Sequence, residues 1–122
     1  MTLQIIQKHQ FYSEKYDARL DVVKMSNNEM YLNIEQIETL FTIPFDEFLK
    51  TLNIGNERAS YLKAIQIFDL RGYLTPEDFE KDMILEIDNI KFYSLSYLTL
   101  YIVEFDRFLS RQLGCFINQK FL

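Results

Sequence analysis

Five residues punctuate this chain: Pro44, Gly55, Gly72, Pro76 and Gly114 are its only prolines and glycines in 122 positions. With so few forced breaks most of the backbone is free to form regular elements, and the breaks mark where those elements end. Asn33 reads as a helix N-cap, with Gln36 placed to reach back in capping-box fashion and Ile34, Ile37, Leu40 and Phe41 as the apolar face. Pro44 ends that helix at Phe41 and suits the first turn of a second one, running to Leu52. Asp46 and Glu47 then lie in its first turn, and Phe45, Phe48, Leu49 and Leu52 form its buried stripe. Gly55 closes it. A third helix carries Tyr61, Leu62, Ile65 and Phe68 toward Gly72, and Thr75-Pro76-Glu77-Asp78 has the cap, proline and acids of a further helix start.

Before and after these helices the pattern alternates. Phe11-Tyr12, then Leu20, Val22 and Met25 before Ser26-Asn27-Asn28, then Met30-Tyr31-Leu32, predict a short hairpin. A second hairpin is predicted at Ile84-Leu85-Glu86-Ile87 and Ile90-Lys91-Phe92-Tyr93, because Asp88-Asn89 tolerates positive φ in a tight turn. From Leu95 the spacing turns helical, with Leu95, Leu98, Ile102, Phe105 and Leu109 on one stripe and a break expected near Gly114. The expected fold is one α+β domain over 1–122, mainly helical, with two small hairpins and a degenerate helix-turn-helix-like pair.

Composition removes whole classes of function. Apolar residues at 48% and charged residues at 25% describe a globular chain. One cysteine, Cys115, excludes a disulfide scaffold, and with a single histidine, His9, it cannot supply a structural zinc site. Cys115 beside Phe116 reads as a small buried hydrophobe, in keeping with a reducing compartment. Neither an apolar leader nor a membrane-spanning run is visible, so the expected location is the host bacterial cytosol. A net charge of −5 argues against a generic nucleic-acid coat. The charge is also uneven: residues 29–88 hold 13 acids against 5 bases, while both ends are slightly basic.

The run Phe11-Tyr12, Leu20-Asp21-Val22, Tyr31-Leu32-Asn33-Ile34-Glu35-Gln36-Ile37 and Leu40-Phe41 resembles the start of the RhuM-like proteins of phages and mobile elements. Those open with a strand, a turn and a helix of the form W-L-x-x-x-Q-I/M-A-x-L-F. Tyr61-Leu62-Lys63-Ala64-Ile65, Phe68 and Gly72-Tyr73-Leu74 are similar to the family's H-L-K-N-I-F … G-E-L segment, and Tyr93-Ser94-Leu95 to its Y-N-L-D. Phe116 to Leu122 resembles its closing amphipathic helix. The chain departs from the family at Ile102 to Phe108, which replaces a longer glycine-containing segment. The resemblance implies a phage or mobile-element origin and a helix-turn-helix with an inferred DNA-binding role.

The chemistry of the chain pulls away from that role. A reading helix needs donors near its start, and here Asp46 and Glu47 stand there, with Lys50 later and Arg58 and Lys63 on the next helix as alternative DNA contacts. No nucleophile–base set, phosphate loop or metal-ligand pattern occurs, so neither catalysis nor a cofactor is expected. The expected function is an acidic, non-enzymatic protein that docks on a basic, nucleic-acid-handling protein, as inhibitors of host defence nucleases such as anti-CRISPR proteins do; a DNA-binding regulator is the alternative. Asp46, Glu47, Glu77, Asp78, Glu80, Asp82, Glu86 and Asp88 are the candidate docking residues. Tyr97, Tyr101, Phe116 and Phe121 present apolar area that either pairs two copies or folds back on the core.

Overall fold

A computed structural model describes residues 3–51 and 83–121. Its organising element is a single five-stranded antiparallel sheet. Strands β1 (Ile5–Ser13), β2 (Ala18–Met25) and β3 (Met30–Asn33) form a meander, followed by helices α1 (Ile34–Leu40) and α2 (Phe45–Thr51). Strands β4 (Ile84–Ile87) and β5 (Ile90–Ser94) form a hairpin that leads into helices α3 (Leu95–Phe105) and α4 (Arg107–Lys120). The spatial order is β1-β2-β3-β5-β4.

This corrects the expectation of a mainly helical fold with two separate small hairpins. The two strand groups become one sheet because β3 pairs with β5, setting Leu32 opposite Tyr93 and Asn33 opposite Phe92. Strand β1 also begins at Ile5, well before Phe11, and pairs with β2 along its length, closing at a turn where Asp17 takes φ 48°. The β4–β5 hairpin forms as its turn residues predict, with Asp88 at φ 53° and Asn89 at φ 66°.

Side chains alternate between the two faces of the sheet. One face carries Phe11, Leu20, Val22 and Leu32 into a core shared with Ile34 and Ile37 of α1, Phe45 and Phe48 of α2, and the inner stripes of α3 and α4. The opposite face gathers a smaller cluster of Val23, Met25, Tyr31 and Phe92.

Helix α1 starts where Asn33 accepts hydrogen bonds from the backbone N–H groups of Glu35 and Gln36. The expected capping box does not close. The Gln36 side chain instead pairs with Asp21 of β2, donating to its carboxylate at 2.8 Å and accepting its backbone N–H at 2.7 Å. The long apolar stripe from Leu95 to Leu109 is broken at Asp106, not near Gly114. Asp106 leaves the helical conformation, and its carboxylate accepts the Leu109 N–H to cap α4, while Gly114 lies inside α4 facing open space. Cys115 is exposed on α4 and not buried as its neighbours suggest, because Leu109 and Leu113 carry the inward stripe of that helix.

The α1–α2 connection is clamped from α3. The Tyr101 hydroxyl donates to the Ile43 carbonyl, and burial, reinforced by the nearby Glu38 carboxylate, pushes its pKa up to about 12. Tyr101→Phe is expected to cost about 1–2 kcal/mol in denaturant titrations, because the Ile43 carbonyl loses its partner. The raised pKa stabilises the fold below pH 10, and that contribution is lost as pH rises from 10 through 12. Wild type should therefore weaken over that alkaline range more than Tyr101→Phe does.

Candidate functional site

The described part of helix α2, Phe45–Thr51, is held by packing. What fixes it is Phe45, 1% exposed, whose ring meets those of Tyr97 and Tyr101 edge-on at 4.8 and 5.2 Å. Phe48 follows one turn later and packs on Tyr101 at 5.2 Å. The Glu38 carboxylate accepts the Phe45 N–H at 2.8 Å, joining the end of α1 to the start of α2. With positions 45 and 48 turned inward, Asp46 and Glu47 between them are exposed. The fold therefore presents two carboxylates on a helix start that is locked from beneath.

The second acidic position is the β4–β5 hairpin. Glu86 and Asp88 are both exposed there. Each has a local partner or reason: Glu86 stands opposite Lys91 in register, and Asp88 fills a positive-φ turn site that Asp and Asn tolerate. Glu77, Asp78, Glu80 and Asp82 lie outside the described residues, as do Arg58, Lys63 and the Lys50 side chain. The described part of the acidic stretch thus contributes two separate pairs.

The aromatic candidates are placed inward. Tyr97, Tyr101 and Phe121 are 7%, 0% and 5% exposed, and Phe116 is half-buried. Helix α4 lies along β1, with Phe116 against Phe11 at 5.3 Å and Phe121 edge-on to His9 at 4.8 Å. The tail folds back on the core. Phe108 is the large apolar residue on α4 that stays in solvent, at 63% exposure.

A cavity of about 480 Å³ opens on the sheet face opposite α3 and α4. Its floor is Val23 and Phe92, and Lys8, Asp21 and Asp88 are among its polar lining. The sequence offered no signal for it, because its residues come from β1, β2, β4, β5 and the hairpin turn, which only the sheet topology brings together. A scan against known family models finds no match, and neither a curated protein nor a solved structure matches the chain.

Two further arrangements bear on chemistry. Among the described residues no group of three or more His, Cys, Asp or Glu side chains is placed to hold a metal ion. No helix among them is long and apolar enough to cross a membrane.

Proposed function

We propose that this chain is a small non-enzymatic binding protein of phage or mobile-element origin that docks an acidic surface on a basic, nucleic-acid-handling protein. Inhibition of a host defence nuclease is the activity such docking would serve. The observation that carries the proposal is the exposure of Asp46 and Glu47 on the rigid start of α2. Phosphates repel carboxylates there, whereas a basic protein surface is attracted and its encounter accelerated. The proposed origin draws on the residues that resemble the RhuM-like start, Phe11-Tyr12 on β1, Leu20-Asp21-Val22 on β2, Tyr31-Leu32-Asn33 on β3 and Ile34 to Leu40 on α1.

A second reading, DNA binding, gains one observation on a different helix. Arg107 and Arg111 are exposed one turn apart on α4, which contains no Asp or Glu. One experiment separates the two. Affinity capture on the immobilised protein, with and without nuclease, is expected to retain a basic protein in both conditions. Recovery of DNA alone, lost on nuclease treatment, would replace the proposal with the second reading.

A further inference from the structure

We infer that the cavity between β1–β2 and the β4–β5 hairpin receives an arginine side chain of the basic partner, with Asp21 and Asp88 as its counter-charges. The inference rests on the docking function proposed above and names a contact for it. The cavity is within the size range of sites that enclose small ligands. Its floor, Val23 and Phe92, is almost fully buried, while Ile5 and Ile90 on its walls are left 42% and 38% exposed. Such walls suit an alkyl stem, and an aromatic floor suits a planar cation better than a compact, strongly hydrated ammonium.

The charges are arranged for a cation. Gln10 and Gln36 donate to the two oxygens of Asp21 at 2.9 and 2.8 Å. These neutral amides hold the carboxylate in place without cancelling its charge, and each oxygen keeps a further acceptor site. Asp88 stands in the tight turn, its backbone at φ 53°. Lys8 also lines the cavity, yet among the described residues the one ion pair is Lys15 with Asp106, so neither Asp21 nor Asp88 is paired there. Two carboxylates against one ammonium leave one negative charge that an incoming guanidinium neutralises.

The test is a titration of the isotope-labelled full chain with the peptide acetyl-Val-Arg-Val-amide, followed by backbone amide NMR shifts. Its controls replace Arg by citrulline, the neutral isostere, or by Lys. The arginine peptide is expected to move the Val23, Ile90 and Phe92 amides saturably, and the two controls should bind at least about tenfold more weakly. Asp88→Asn, which retains a residue suited to positive φ, should weaken the arginine peptide by about tenfold, and Asp21→Asn should do the same. Equal shifts from the citrulline or lysine peptide, or shifts away from these three amides, would overturn the inference. A captured partner that loses affinity on reversal of Asp46 and Glu47 but not in Asp88→Asn would also overturn it, while leaving the docking function standing.

Discussion

Phe45→Ala is expected to lower the unfolding free energy by about 3–5 kcal/mol, a large share of the roughly 5–15 kcal/mol that holds a domain of this size together. The ring is ringed in turn by Tyr93 at 5.6 Å, Tyr97 at 4.8 Å and Tyr101 at 5.2 Å. Aromatic walls on β5 and α3 cannot collapse into the space that its removal leaves, so the cavity cost adds to the lost burial. The consequence reaches the proposed docking surface. Without Phe45, α2 keeps only Phe48 as an inward anchor among its described side chains, and the positions of Asp46 and Glu47 are no longer imposed. Guanidinium denaturation should show a lower midpoint with an unchanged slope. A loss under about 1 kcal/mol would mean that α2 is held by something other than this aromatic cluster.

Asp106→Asn is expected to cost about 2 kcal/mol at neutral pH, with a pH dependence that identifies the cause. The carboxylate ties the β1–β2 connection to the start of α4. It accepts from Lys15 Nζ at 2.8 Å and from the Tyr16 hydroxyl at 2.6 Å, both in the β1–β2 connection, and from the Leu109 N–H at 3.1 Å. Burial alone pushes its pKa up, but these hydrogen bonds and the Lys15 charge outweigh burial and hold it at about 2. A lowered pKa stabilises the fold fully above the ordinary value of 3.8, and that contribution fades as pH falls from about 4 to 2. The drop corresponds to about 2 kcal/mol. The stability difference between wild type and Asp106→Asn should therefore be greatest above pH 4 and shrink toward pH 2. A difference that stays constant across that range would assign the loss to packing.

The local grammar of this chain was legible, and its long-range pairing was not. Asn33 as a cap, Pro44 before α2 and Asp88-Asn89 in the hairpin all act within a few residues, and each is found where its chemistry places it. β1 escaped notice before Phe11 because it is an edge strand. Its outward positions are Lys8 and Gln10, and its inward His9 packs on Phe121, so no apolar alternation shows. The β3–β5 pairing joins residues about sixty positions apart, and no local pattern encodes it. The break at Asp106 was hidden because Leu109 stays on the core side after the kink, continuing the stripe. Of the candidate site, the two carboxylates on α2 could be read from sequence because helix geometry alone turns them outward. The cavity could not, since it exists only once the sheet is assembled.

The measurement that bears most directly on the docking account is the association rate with the captured partner, for wild type and for the Asp46→Lys/Glu47→Lys variant, at low and high salt. Electrostatic steering by the α2 carboxylates predicts a rate for wild type that falls steeply with salt, and a variant at least about tenfold slower at low salt that converges with wild type at high salt. Equal rates at every salt concentration would contradict the account, because Asp46 and Glu47 would then be a solvated surface with no part in recognition.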